Sequence, residues 1–414
     1  MKNHSFDFLW IGQAFANAAD VFYIVALLSY MYSVSGSIAM TAAVPFAVTL
    51  SRFAGGMTAP FMIDRFSYKT ILVYSQLIKT MFLLMLAVCL TLFPGEGIFT
   101  VFPLISVIAF FDGWAVPIRN SLVPHLVPED RIVRANGFMA VIDQLVQLGS
   151  WPLGSISVSL AGGKEVLYFS VLLFAASTIM MTRIQMRHIN EASNEKEGKT
   201  KWNSMQEGWK ALWKTPSLRV ISVVDFFDSI AQVVWIAAVL LVYVEEVLNK
   251  SEAWWGYLNS AYFAGLILGG LLCIRFETIL KKSIRYAIIA GSTAGGILTL
   301  MFGFTTEGTA ALLISFLVGI GSEIKLISQI TLIQNHTERK LLPKVFAARD
   351  AILTGVFGIS SLLYGMIAEA YGITILFVLS SVILIGTGIY SFTVRKYVRF
   401  IESDQTISSS VLKG

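Results

Sequence analysis

Residues 12–32 read "GQAFANAADVFYIVALLSYMY", and nearly every one of them belongs in hydrocarbon. Asp20, near the middle, does not. The stretch is long enough to cross about 30 Å of lipid as a helix. It carries Gln13, Asn17 and Asp20, and no small-residue cleavage site with mature soluble sequence follows, so it reads as a span and not as a cleavable signal.

The rest of the chain repeats the pattern. Of 414 residues, 56% are hydrophobic and 14% charged, against about 25% charged in a soluble domain. Mean hydropathy is +0.71. Apolar runs of about 18 residues or more recur throughout, continuous and not alternating, which excludes a β-barrel. Composition excludes a soluble enzyme. The fold expected is an all-α membrane protein with twelve spans, near residues 8–33, 38–62, 71–93, 98–120, 137–160, 165–184, 218–243, 253–274, 286–304, 309–333, 346–369 and 372–394. Spans six and seven are separated by the long polar stretch. Its second half sets Met205, Trp209, Leu212 and Trp213 at helical spacing, which predicts an amphipathic helix at the membrane surface. The expected organisation is a six-helix bundle over 1–184, a cytoplasmic linker over 185–217 that carries this helix, and a second bundle with a short cytoplasmic tail over 218–414.

The basic residues orient the spans. Of 31 Lys and Arg, Arg52, Lys79 and Lys325 fall within spans, and Lys164 and Lys250 lie in loops on one side. All the others lie on the opposite side. By the positive-inside rule both termini are cytoplasmic, in a multi-pass protein of the cell membrane. The net charge of +5 therefore reports topology and not nucleic-acid binding, because no reading module accompanies the scattered basic residues. His4, His125, His188 and His336 are isolated, so no metal site is expected. No phosphate-cradling loop or nucleophile elbow is present, so neither a cofactor nor ATP-driven pumping is expected.

The two halves of the chain echo each other, as in many secondary transporters. Shifted by about 212 residues, "QAFANAADVFYIVALL" (13–28) lies over "DFFDSIAQVVWIAAVL" (225–240). Gly55-Gly56 meets Gly269-Gly270, and Pro128 meets Pro343. Gln13, Asn17 and Asp20 stand at i, i+4 and i+7 and so share a helical face. Asp225, Ser229 and Gln232 have the same spacing, with Asp228 beside that face. A two-fold axis between the halves would turn both stripes toward one central cavity.

Three motifs then carry a family resemblance. "AGGMTAPFMIDRFSYKTILV" (54–73) resembles the loop between spans two and three of the major facilitator superfamily, matching at Asp64, Arg65 and Lys69. Phe66-Ser67-Tyr68 departs from the usual Gly-Arg stretch. "PIRNSLVPHLVPEDRIVRANG" (117–137) and "MQEGWKAL" (205–212) resemble the drug:proton antiporter subgroup that includes macrolide-efflux and siderophore-efflux proteins. The resemblance implies two pseudo-symmetric six-helix bundles working by alternating access. It also implies a cytoplasmic gating latch, whose members by position are Asp64, Arg65 and Arg119. The alternative is that Asp64 and Arg65 cap helix ends and Arg119 is a positive-inside anchor.

An ionisable group at the bilayer centre costs about 2.5–3.5 kcal/mol on insertion scales, so each one marks a pathway or a buried partner. Asp20 is a candidate proton or substrate group, the alternative being an ion pair with Arg52 of span two. Asp225 and Asp228, at i and i+3, repel when both are charged, so one is expected to hold a proton or face a cation. Glu323 and Lys325 point to nearly opposite sides of span ten. Lys325 shares a face with Ser322 and Gln329, where it balances an acid or holds a substrate carboxylate. Glu323 is expected to meet a polar group on an adjacent helix. Asp112 and Asp143 are candidate contacts between helices, Asp143 at the junction of the halves.

Together these features favour a monomeric, proton-coupled exporter of an amphiphilic organic solute. The bilayer is its other partner, and the proton gradient is its energy source. Alternatives are an uptake symporter or lysophospholipid transporter of the same fold, or a membrane sensor without flux.

Overall fold

A computed structural model describes residues 4–36, 38–93, 98–185, 201–235, 237–251 and 253–400. Residues 186–200 of the expected linker and 401–414 of the expected tail lie outside this set, as do the side chains of 201–205. No strand occurs among the described residues.

Fourteen helices follow in order among those residues: α1 (Ser5–Ser35), α2 (Ile38–Ile63), α3 (Tyr68–Leu92), α4 (Ile98–Leu126), α5 (Ile132–Ala161), α6 (Gly163–Thr182), α7 (Lys201–Lys214), α8 (Pro216–Ala231), α9 (Ala237–Glu246), α10 (Ala253–Arg275), α11 (Glu277–Gly303), α12 (Gly308–His336), α13 (Leu342–Tyr371) and α14 (Thr374–Thr393). Nine of them are long and apolar enough to cross a membrane. α8 and α9, with a 3-10 turn at Gln232–Trp235 between them, make a bent tenth span, and α2 and α5, of 26 and 30 residues, complete the twelve. Six spans precede α7 and six follow it.

Two features go beyond what hydropathy showed. Span seven bends by 44° between Pro216–Trp235 and Val239–Glu246. The backbone tightens into the 3-10 turn at Gln232–Trp235 before the bend, and such turns are common at helix ends and as connectors. α4, α5 and α11 also run several residues further into the polar segments than hydropathy suggested. Helical hydrogen bonding does not stop where lipid does, and hydropathy detects only the apolar portion.

Local chemistry sets the ends of the helices. The Ser67 side chain accepts from Thr70 N at 3.2 Å and so caps α3. The turns from α5 to α6 and from α13 to α14 each contain a glycine of positive φ, Gly162 (+102°) and Gly372 (+82°), a conformation that costs other residues a Cβ clash. These glycines stand 210 residues apart, close to the repeat shift. A Cβ on Gly55 of α2 would strike the Phe110 carbonyl of α4, and one on Gly269 of α10 would lie 2.9 Å from the Glu323 Cβ of α12. Glycine thus permits close helix contact at matched places in both halves.

The chain forms two compact units. The first comprises Met1–Glu129, Met139–Lys210 and Lys340–Gly355, and the second Asp130–Phe138, Ala211–Arg339 and Val356–Gly414. Each has its own apolar core. In the first, Tyr23, Leu27, Met31, Leu83, Ile105 and Phe174 are buried together. In the second, Tyr243 stacks on Phe302 with Phe377 tilted against both, and the Tyr243 hydroxyl lies 2.6 Å from the Phe302 carbonyl and 2.7 Å from that of Thr305. Cys89 and Cys273 are free thiols.

Candidate functional site

The most charged part of the first unit is built on α3. Leu72, Ser75, Gln76, Leu83 and Leu86 of that helix are buried, and Lys79 lies among them with no exposure at all. An ammonium so placed needs counter-charges, and two carboxylates supply them. Lys79 Nζ lies 2.8 Å from Asp112 Oδ1 of α4 and 3.2 Å from Asp20 Oδ2 of α1. It also stands 4.6 Å from the centre of the Phe174 ring. The other oxygen of Asp112 receives Arg52 Nη2 of α2 at 2.5 Å.

Four spans thus contribute one charge each, alternating in sign: Asp20, Lys79, Asp112, Arg52. Fully ionised, the chain of charges sums to zero. Asp20 Oδ1 is buried and has no hydrogen-bond partner among the described residues. Three of the four are the intramembrane charges picked out in the sequence, and the alternative pairing of Asp20 with Arg52 is not the one formed. Arg52 is engaged by Asp112, and Lys79, read only as a basic residue within span three, holds Asp20.

The polar stripe of α1 also divides. Gln13 Nε2 donates to Asn17 Oδ1 at 2.6 Å, and Asn17 Nδ2 donates to Asp143 Oδ1 of α5 at 2.7 Å. The second oxygen of Asp143 receives Arg119 Nη1 of α4 at 3.1 Å. Asn17 and Asp20 share a face by periodicity, but one joins Asp143–Arg119 and the other joins Lys79.

The latch residues are placed differently from the expectation. Arg119 is occupied by Asp143. Asp64 instead pairs with Lys344, at the start of α13, and Lys344 Nζ also donates to Glu207 Oε2 of α7 at 2.6 Å. Lys344 is 4% exposed, so both carboxylates offset a nearly buried charge. A Cβ on Gly208 would strike the Lys344 carbonyl, so α7 and α13 approach closely there. Arg65 has no carboxylate within 4.0 Å among the described residues.

Among the described residues, the second unit buries four acidic or basic side chains, Asp225, Asp228, Glu323 and Lys325. Lys325 of α12 pairs with Asp228 of α8 at 2.7 Å and donates to Ser292 Oγ of α11 at 3.3 Å. Lys325 therefore balances an acid, and Asp228, not Asp225, is its partner. Asp225 is 2% exposed and Glu323 1%. Gln232 belongs to the 3-10 turn at the bend, where Trp235 stacks on Tyr262 with ring centres 5.8 Å apart. Asn136, which the sequence reading passed over, donates from Nδ2 to Thr331 Oγ1 at 3.0 Å and Gln334 Oε1 at 2.7 Å.

The Major Facilitator Superfamily profile matches residues 9–351. The chain belongs to that superfamily. It is a multi-pass membrane transporter, and proteins of this superfamily are transporters, not enzymes. An uncharacterized MFS-type transporter of Bacillus subtilis (strain 168), YfmI, is 28% identical over 397 residues, which cover 94% of this chain and 97% of the relative. Macrolide efflux protein A of Streptococcus pyogenes is 19% identical over 379 residues, 91% of this chain and 92% of its own. Among solved structures, a bacterial homologue of the iron transporter ferroportin, in its outward-facing state, superposes with a TM-score of 0.75. That likeness, at 13% identity, covers 95% of this chain and 99% of the other, and it speaks to fold alone.

Proposed function

We propose that this transporter exports an amphiphilic organic solute, of the drug, macrolide or siderophore type, in exchange for protons. The reading places both termini in the cytoplasm, in accord with the distribution of Lys and Arg. The proton gradient supplies the free energy, and no cofactor takes part.

The observation that carries this reading is the alternating charge chain Asp20–Lys79–Asp112–Arg52. A proton arriving on the unpartnered Asp20 Oδ1 cancels that carboxylate and leaves Lys79 with Asp112 alone. Asp112 must then satisfy two cations. Release of the proton restores the balanced set. A titration that changes which helices are held together biases a two-state element, which is what coupling requires. Distant similarity to macrolide efflux protein A supports the solute class.

The test uses everted membrane vesicles energised by a pH gradient, with a macrolide and an amphiphilic dye as probes. Wild-type protein is expected to accumulate the probes inside the vesicles and to stop when the gradient is dissipated. Asp20→Asn is expected to lose gradient-driven accumulation while retaining probe exchange at equal pH. Flux that survives loss of the gradient, or an Asp20→Asn variant that still responds to it, refutes the coupling.

A further inference from the structure

One cavity of the second unit has no place in this scheme. It measures about 300 Å³ and is lined by Lys281, Lys282, Ile284 and Arg285 of α11 and by Val398, Arg399 and Phe400 beyond α14. It lies where α11 begins and α14 has ended, on the side of the chain that carries most of its Lys and Arg.

Its chemistry is one-sided. Four cations line it, and among the described residues no carboxylate lies within 4.0 Å of any of them. Lys281 Nζ donates to the backbone carbonyl of Asp130, which leaves its charge unneutralised. The Arg285 guanidinium stands 4.7 Å from the Tyr286 ring centre and donates from Nη2 to the Tyr286 hydroxyl at 3.2 Å. Arg285 Nε is buried without a hydrogen-bond partner. Ile284 and Val398, each 2% exposed, give the cavity an apolar floor.

The backbone explains how the cations come together. α11 is interrupted at Ser283, whose φ of −113° and ψ of 16° are not helical. Its first segment carries the exposed Ile279 beside Lys281 and Lys282, and its second segment starts at Ile284 with Arg285 in its first turn. The break gathers basic residues from two segments around one space, at the polar end of a helix long and apolar enough to cross a membrane.

We infer that this cavity binds a phosphate-bearing anion, with the headgroup of an anionic phospholipid as the occupant that the apolar floor favours. Arg285 supplies a forked donor, Lys281, Lys282 and Arg399 supply point charges, and each cation near a lipid surface contributes about 1 kcal/mol.

Full-length protein in uncharged detergent provides the test. Phosphatidylglycerol, phosphatidylcholine of the same chains, and inorganic phosphate are titrated while thermal unfolding is followed. Phosphatidylglycerol is expected to raise the midpoint and phosphatidylcholine is not. In the triple variant Lys281→Gln, Lys282→Gln, Arg285→Gln, apparent affinity for phosphatidylglycerol should fall roughly a hundredfold. The control Lys210→Gln, Lys214→Gln, Arg219→Gln removes the same charge from exposed sites and should keep it. If inorganic phosphate alone reproduces the effect and the triple variant loses it, the anion is a free phosphate; if phosphate is silent, it is a lipid. Equal response to the two lipids, or a triple variant that binds phosphatidylglycerol as wild type does, overturns the site. Should the triple variant not purify, exposed Lys282→Gln alone decides, with about a fivefold loss expected and no loss refuting the assignment.

Discussion

Lys79 of α3 meets Asp112 of α4, and Lys325 of α12 meets Ser292 of α11. The members of each pair stand 33 residues apart, and both pairs join the third and fourth spans of a half. The shift from Lys79 to Ser292 equals that from Asp112 to Lys325. One matched position pair thus makes the same contact in both halves with different charges. In the first half the cation sits on the third span and the acid on the fourth. In the second the cation has moved to the fourth span and the third keeps only a hydroxyl. Each half recruits a further carboxylate from its opening span, Asp20 or Asp228, and these two do not align. The first half also brings in Arg52, making a chain of four alternating charges, whereas in the second half the cation on the fourth span is shared between Asp228 and a hydroxyl. Geometry was conserved and electrostatics diverged, which suits two halves that share a scaffold and divide the work.

The sharpest way to break this comparison is to remove the cations one at a time. Lys79→Met leaves two buried carboxylates facing each other and should cost about 3–5 kcal/mol, read from unfolding of the purified protein. Lys325→Met leaves one and should cost less; equal losses would mean that the halves are electrostatically alike. Neutralising the simpler pair as a unit sharpens the point. Asp228→Asn with Lys325→Gln should recover most of the single-variant loss, leaving about 1 kcal/mol, whereas no double replacement should restore the four-charge chain. The turn glycines test the conserved scaffold. Gly162→Ala and Gly372→Ala should each cost about 1–2 kcal/mol, with Gly162 the larger because its φ of 102° and ψ of 157° lie in a region essentially confined to glycine. A large difference in the opposite order would break the equivalence. Smallest of all, Asp64→Asn should cost under about 1 kcal/mol, since Asp64 is partly solvated and Glu207 still holds Lys344. Asp64→Asn with Glu207→Gln should lose more than the sum of the two.

The fold was legible because lipid leaves a helix little choice. A long apolar run must satisfy its own backbone, so counting runs amounted to counting spans. What hydropathy could not show was the bend in span seven, because an apolar run reads the same whether its backbone is straight or tightened into a 3-10 turn. Of the site, the sequence revealed which residues were out of place in hydrocarbon but not their partners. Asp20, Arg52 and Asp112 were visible as intramembrane charges; that Asp20 belongs to Lys79 depends on how α1, α2, α3 and α4 pack. One signal was available: lengthening the shift of spans one and seven by one residue, toward that of the paired glycines, superposes Lys79 on Ser292 and Asp112 on Lys325. Asp64 was harder, because its partner lies 280 residues away. The aligned prolines Pro128 and Pro343 are followed by Glu129 and Lys344, another reversal of sign at a matched place.

The break between α8 and α9 has an optical consequence. Trp235 sits in the 3-10 turn with Tyr262 stacked 5.8 Å away and Phe302 at 4.9 Å. Its indole is shielded by two rings from different helices, so straightening or deepening the bend must change its emission. A version of the protein retaining Trp235 as its sole tryptophan would report the conformation of span seven by fluorescence, without an attached dye.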